Sequence, residues 1–395
     1  MINTLIQENK IDIFFQPIIS IKNKKLFALE ALTRAYDENN DFISPMYLFD
    51  QAKKENIVNK LDCYVRELAL KKFAEYHKNN KDILLFLNFE SHFIDSEEYS
   101  SFLFVVQKYN IRNSNIVLEI KEDEIKDNQS IKKFVDLYRK NGFIIAIDDF
   151  GTGYSSFDRL SLIKPDIVKM DRSLIFNINQ NFINSEILTA VSNMCQKIGA
   201  IVLAEGVERK SEILNCMEKD IDIFQGFYFK KPQKNIATNI NTSLQKSIED
   251  IGKSYQENIS NIINHKKQIL IESQNFTEKL AIIFNQNSHN STDEVNNMIS
   301  NYQKVEAIYT IDFNTGIQKN DTIITVKENT LFNATKDGHD HTLKEYYFMA
   351  KNSSRCDYLS DTYISKASGN MCITYSSIIT IQNTKYILCL DIKTL

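Results

Sequence analysis

The sequence predicts an α/β protein: a TIM-like (β/α)8 barrel, then a long helix, then a small α+β domain. Three observations predict it. Short apolar runs alternate with segments of helical periodicity from residue 10 to about 232. A polar residue recurs at the end of each run. After Pro232 the alternation stops and a three-four apolar spacing takes over.

A chain of 395 residues with 43% hydrophobic content exceeds one ordinary core and points to about two domains. Its 47 basic and 51 acidic residues leave a net charge of −4, so no field favours a nucleic-acid polymer or an anionic membrane. The cysteines Cys63, Cys195, Cys216, Cys356, Cys372 and Cys389 form no CxxC pair, and read as reduced, mostly buried thiols. The opening "MINTLIQENKIDIFF" carries Gln7, Glu8, Asn9 and Asp12 in its apolar windows, and no run nears the ~20 residues of a membrane span. The expectation is a cytoplasmic protein.

The apolar runs, in order, are "LFALEAL", "ILLFLNFE", "NIVLEIKE", "FIIAIDDF", "IVKMD", "AIVLAEGVE" and "IFQGFYF". Between them, "NKLDCYVRELALKKFAEYHKN", "IKKFVDLYRKNG" and "NSEILTAVSNMCQKIG" have helical periodicity. Near-continuous apolar strands separated by amphipathic helices indicate a parallel sheet covered on both faces, and about eight such units suit a closed barrel. The polar ends of the runs are Glu30, Asn88, Glu119, Asp148 with Asp149, Lys169, Glu205 and Gln225. In a parallel barrel these ends open onto one rim, where they form a hard, oxygen-rich cluster suited to Mg²⁺, Mn²⁺ or Ca²⁺ rather than zinc. Asp148 and Asp149, adjacent at the end of a buried run, demand a cation. One such residue alone reads as a helix cap; seven runs ending alike do not.

Beyond Pro232, Leu244, Ile248, Ile251, Tyr255, Ile259 and Ile262 begin an amphipathic pattern that reaches Ile283. It reads as a long helix, or two consecutive ones, whose seam pairs with a second copy or packs on its own C-terminal domain. "NQNSHNSTDE" breaks it, and Ser291 or Thr292 is placed to cap a following helix, "DEVNNMISNYQKV". From Glu306 onward, alternating runs with turns at Asn314-Thr315-Gly316 and Gln382-Asn383 read as antiparallel sheet. His339 and His341, in the polar loop "GHDH", read as solvent-exposed.

The motifs "ALEALTR", "LNFE", "LEIKE", "DDFGTGYSSF", "KPDIVKMD", "LAEGVE" and "QGFYFKKP", in this order over residues ~10 to 232, resemble the EAL family of cyclic-di-GMP phosphodiesterases. The resemblance implies hydrolysis of cyclic di-GMP to linear pGpG with two Mg²⁺ or Mn²⁺ ions. It assigns Glu30, Asn88, Glu119 and Asp148 to the first metal and Asp149 to the second. Glu205 stands near both as the proton-accepting helper. It gives Lys169 the orienting of the attacking water and Gln225 the closing of the rim, and turns Gln16, Pro17, Leu32 and Arg34 toward the nucleotide. Gly151, Thr152, Gly153 and Ser155 form a loop that organises the second metal and the dimer, anchored by Glu122. The chain departs from the family pattern at Ala35, where Trp is frequent, and at Glu90, where Ser is frequent. A competing reading is a catalytically weak or inactive receptor that binds the nucleotide and signals by conformation.

"HTLKEYYFMAKNSSRCDYLSDTYISKASGNMCITYSSII" resembles PAS-like or Cache-like sensor modules, which implies an unknown small-molecule ligand. The expected organisation is an EAL barrel over 1–233, a helical linker over 234–290 and a sensor over 291–395, assembled as a homodimer.

Overall fold

The computed structural model describes residues 1–89, 101–121, 128–152, 157–236, 240–286, 304–325 and 333–394, with the single positions 295, 298 and 302. They form two compact units, Met1–Ile259 and Ser260–Leu395.

The first unit is a closed barrel. Its strands are β1 (Ile11–Ser20), β2 (Lys25–Tyr36), the short β3 (Phe42–Ile43), β4 (Leu84–Phe89), β5 (Ile116–Lys121), β6 (Ile144–Phe150), β7 (Ile167–Met170), β8 (Ile201–Ala204) and β9 (Ile223–Gln225). The order β1-β9-β8-β7-β6-β5-β4-β2 closes through the β1–β2 pair, leaving β3 outside as a hairpin on β2. Pairs from β2 round to β9 are parallel, but β1 is antiparallel to both β2 and β9. This corrects the all-parallel expectation and adds a strand in "IDIFFQPIIS". Pro17 is compatible with β1 because it lies just before Ile18, where pairing with β9 begins, so no ladder hydrogen bond on that side is lost.

Helices cover the barrel: α1 (Ile2–Gln7), α2 (Pro45–Lys54), α3 (Val58–His77), α4 (Ser101–Lys108), α5 (Asn128–Lys140), α6 (Phe157–Ile163), α7 (Arg172–Ile175), α8 (Phe182–Ile198) and α9 (Lys210–Met217). Local signals set them. Ser44 caps α2, accepting from the Tyr47 amide with Pro45 in the first turn, and Asn181 and the left-handed Gly199 bracket α8. On α5, Ile131, Phe134, Val135 and Tyr138 recur at helical spacing and are buried. Tyr138 and Phe134 meet at 4.6 Å between ring centroids.

One layer fixes the interior. Ile18, Ala28, Phe86, Val117, Ala146, Ile167, Leu203 and Ile223, one from each barrel strand, form an apolar plug of their own. Because side chains alternate along a strand, the next inward position is two residues further along each parallel strand, and two residues back along the antiparallel β1.

The helix α10 (Ile240–Asn285) contributes to both units. Its first part supplies Ile240, Leu244, Ile248 and Ile251 to the barrel's outer core; its last part supplies Phe276 and Leu280 to a separate core. That second unit holds β10 (Val305–Asp312), β11 (Gln318–Ile324), α11 (Glu345–Asn352), β12 (Asp357–Leu359), β13 (Tyr363–Ile364), β14 (Met371–Ile381) and β15 (Thr384–Lys393). The sheet order is β11-β10-β15-β14-β12, with β13 on β14, and all described pairs are antiparallel. Gln382 and Asn383, both at positive φ, make the tight β14–β15 turn. Four cysteines are buried and Cys63 and Cys356 are exposed, and none of the six is in a disulfide. Ser291, Thr292 and most of "DEVNNMISNYQKV" lie outside the described residues. Among the described residues no helix is long and apolar enough to cross a membrane.

The two cores predict separable responses in hydrogen exchange followed by mass spectrometry. Leu280→Ala, a loss of about 2–5 kcal/mol, loosens β10, β14 and β15 without changing protection of β4 to β8, and Leu244→Ala does the reverse. Changes spread over both units in each variant would show one cooperative core instead.

Candidate active site

Counting two residues from each member of the apolar plug gives Gln16, Glu30, Asn88, Glu119, Asp148, Lys169, Glu205 and Gln225. The structure thus seats a ring of eight polar side chains directly over a ring of eight apolar ones. Seven are the predicted strand ends, and Gln16 is the eighth, delivered by the reversed β1. Gln16 pairs directly with Glu30 and Asn88 with Glu119, whereas Glu30 pairs with Phe86, Glu119 with Ala146 and Lys169 with Leu203, the stagger of a sheared barrel.

Lys169 occupies the centre. Its ammonium is 2.8 Å from Asp148 Oδ1, 2.7 Å from Glu205 Oε1 and 3.7 Å from Glu30 Oε1, and it also pairs with Glu119. At 1% exposure it is buried, and its desolvation would lower its pKa. Asp148, Glu119, Glu205 and Glu30 outweigh that and hold it well above the ordinary lysine value, so it stays charged. Burial pushes the Glu119 and Glu205 carboxyls well above the usual carboxylate range against the pull of Lys169. Asp149, raised to about 6 by burial and then by its neighbour Asp148, extends the cluster outward.

Amides brace the carboxylates. Asn88 Nδ2 donates to Glu30 Oε1 at 3.3 Å and Glu119 Oε2 at 3.0 Å. Gln225 Nε2 donates to Glu30 and, at 3.1 Å, to Gln16 Oε1, while Gln16 Nε2 donates to the Lys230 carbonyl at 3.2 Å. Yet Glu119 Oε1, Asp148 Oδ1 and Gln225 Oε1 are buried without a well-directed hydrogen bond. Two oxygen triads, Glu30–Glu119–Glu205 and Asp148–Asp149–Glu205, have ligand atoms within 4.8 Å of one another. Carboxylate oxygens gathered in all-oxygen triads, with the Lys169 ammonium facing Glu119 Oε1 and Asp148 Oδ1, fit a hard divalent cation.

The loop after β6 is strained. Asp149 has φ +56° beside a break in the β6–β7 register, and Thr152 Oγ1 donates to its carbonyl at 3.0 Å. Gly151, at φ +103°, has no room for a side chain: a Cβ would stand 2.3 Å from the Leu174 side chain. Gly153, Ser155, Glu122 and Glu90 lie outside the described residues.

Beside the ring is a cavity of about 330 Å³ whose lining includes Leu32, Arg34, Asn88 and Lys121. Arg34 forms no ion pair among the described residues; its guanidinium lies 5.8 Å from the Phe14 ring and donates to the Thr33 carbonyl. Pro17, one residue from Gln16, faces the opposite side of β1 and is not brought to the cavity. Sequence reasoning missed a further feature of this wall, the buried pair Asp62–Arg66 on α3, with Arg66 4.3 Å from the Phe89 ring. Its signal was an i,i+4 acid–base pair inside the apolar face of "KLDCYVREL".

In the second unit His341 is 1% exposed, which corrects the solvent-exposed reading; His339 is exposed as expected. Its ring accepts and donates within a closed network described below.

The EAL domain family matches residues 1–232, and the chain belongs to it. The probable cyclic di-GMP phosphodiesterase PdeG of Escherichia coli is 30% identical over 222 residues, 55% of this chain and 44% of PdeG. The chain therefore spans less than half of that relative's length. A crystal structure of Bacillus subtilis YkuI, solved with c-di-GMP and calcium, covers 100% of this chain and 98% of its own at TM-score 0.79 and 21% identity, a shared fold. Klebsiella pneumoniae BlrP1, solved as a manganese/cy-diGMP complex, covers 58% of this chain and 57% of its own at TM-score 0.53 and 25% identity.

Removing the central ammonium leaves buried carboxylates uncompensated. Lys169→Met is expected to destabilise the barrel by roughly 3–5 kcal/mol in chemical denaturation without divalent ions. An unchanged midpoint would show that Lys169 does not balance the ring.

Proposed function

We propose that the chain is a metal-dependent phosphodiesterase that hydrolyses one bond of cyclic di-GMP to give linear pGpG. The charge count of the ring carries this reading. Glu30, Glu119, Asp148 and Glu205 of the ring, with Asp149 just outside it, set five carboxylates against the Lys169 ammonium and the charge of Lys121, which acts on Asp149, an excess of three to four negative charges that two divalent cations would offset. Family membership supports the choice of substrate, as do the c-di-GMP complexes of YkuI and BlrP1.

In this reading Glu30, Asn88, Glu119 and Asp148 would hold one Mg²⁺ or Mn²⁺, and Asp149 with Glu205 would hold the second. When bound, the two ions would acidify a water and stabilise the attacking and leaving oxygens. The chain's own residues do the rest. Lys169, kept an ammonium by its neighbours, orients the attacking water rather than taking its proton. Glu205, beside the metals, accepts that proton as the water oxygen bonds to phosphorus, and the ester oxygen that leaves phosphorus takes a proton in turn. Gln225, Gln16 and Asn88 fix the Glu30 and Glu119 carboxylates in place. Arg34, in the cavity wall with Leu32, suits a substrate phosphate oxygen.

The same proposal gives the second unit a sensory role in a cytoplasmic homodimer. Ile263 and Ile271, exposed on one face of α10, support a seam with a second copy.

Purified chain with Mg²⁺ or Mn²⁺ and cyclic di-GMP tests the reading by chromatography of products. pGpG is expected, and Asp149→Asn is expected to bind nucleotide while hydrolysis falls at least ~100-fold. Binding without product would favour the receptor reading, and no binding would overturn both.

A further inference from the structure

The second unit contains a cavity of about 600 Å³, a volume in the range of small-molecule sites. At its wall lies Asp391, 3% exposed, on the penultimate stretch of β15. Four hydroxyls converge on it. Oδ1 accepts from Thr374 at 2.9 Å, Tyr363 at 3.3 Å and Tyr309 at 3.4 Å, whereas among the described residues Oδ2 accepts from Ser365 alone, at 2.8 Å. Among the described residues Asp391 makes no ion pair; the neighbouring Lys393 turns to Glu306 instead. A buried carboxylate with hydroxyl donors but no counter-charge is costly, and its burial raises its pKa.

The histidine in the same wall is not that counter-charge. Gln318 Nε2 donates to the Asn320 and Thr335 carbonyls and to Thr322, which turns Gln318 Oε1 toward His341 Nε2 at 2.8 Å. Nε2 must then carry the proton, and Nδ1 accepts from the Tyr346 hydroxyl at 2.8 Å. The ring is neutral, in keeping with a pKa lowered to about 4, chiefly by burial.

Around the carboxylate the cavity is lined by the rings of Tyr309, Tyr346 and Tyr363. Tyrosines around a carboxylate that lacks a counter-charge suit a cation, and Oδ2 retains acceptor capacity for an N–H. Lys336, Lys344 and Lys366 also line the cavity, with Glu345 and Asp361 among them, so the lining apart from Asp391 carries a net charge of about +1, which Asp391 balances.

We propose that this cavity binds a small protonated amine whose ammonium pairs with Asp391 among the three tyrosines. The site is independent of the phosphodiesterase reading, since its residues all lie in the second unit. The test titrates the full chain calorimetrically with three probes of one shape and different head groups: 2-phenylethylammonium, 2-phenylethanol and phenylacetate. Saturable binding of the ammonium, at least ~10-fold tighter than of the alcohol or the acid, is expected. Asp391→Asn is expected to abolish that preference. Because Asp391 also braces the sheet, Ala334→Trp, which fills the cavity from its lining, provides a second test and should block the ammonium. Equal binding of all three probes, no binding of the ammonium, or retention of its binding in a folded Asp391→Asn or Ala334→Trp would overturn the proposal.

Discussion

The barrel is organised around one buried ammonium facing more carboxylates than it can balance. Lys169 reaches Glu30, Glu119, Asp148 and Glu205 from the centre of a ring to which each barrel strand contributes one side chain. Five carboxylates cannot all stay ionised around a single positive charge in a buried site without raised pKa values or further cations. The raised carboxyls of Glu119, Glu205 and Asp149 express the first response, and a divalent site would be the second. The amides of Asn88, Gln16 and Gln225 hold the geometry fixed, so the strain is electrostatic rather than conformational, except at Asp149 and Gly151.

The apolar plug beneath the ring explains why the charges stay at one level. With eight strands each placing one apolar side chain in the interior, the next inward position on every strand opens toward the rim above that plug. A one-residue slip on any strand would exchange a ring member for an outward-facing side chain. Register is therefore the link between the apolar pattern of the sequence and the chemistry of the rim.

Much of this was legible from residue order. Seven polar strand ends followed apolar runs whose length and flanking helices indicated a barrel, and those seven residues do converge. What was hidden has physical causes. Strand β1 carries Pro17 and is followed directly by β2, so its reversed direction had no crossover helix to announce it, and Gln16 was not recognised as the eighth member of the ring. Asp62 and Arg66 were hidden because acid–base pairs at i,i+4 usually face solvent, whereas here both are buried under Phe89. His341 stands among polar neighbours that predict exposure, yet Gln318 and Tyr346 satisfy both ring nitrogens and allow its burial. The long helix was visible in the apolar spacing, but its division between two cores depends on partners distant in sequence.

The central claim is that the ring's excess negative charge is balanced by two divalent ions. Equilibrium dialysis of the purified chain against Mn²⁺, with the bound metal counted by electron paramagnetic resonance, tests it most directly. The account predicts saturation at about two ions per chain, falling in the double variant Asp148→Asn, Asp149→Asn. A folded chain that binds no Mn²⁺ at millimolar concentration, or whose stoichiometry is unchanged in that variant, would contradict it.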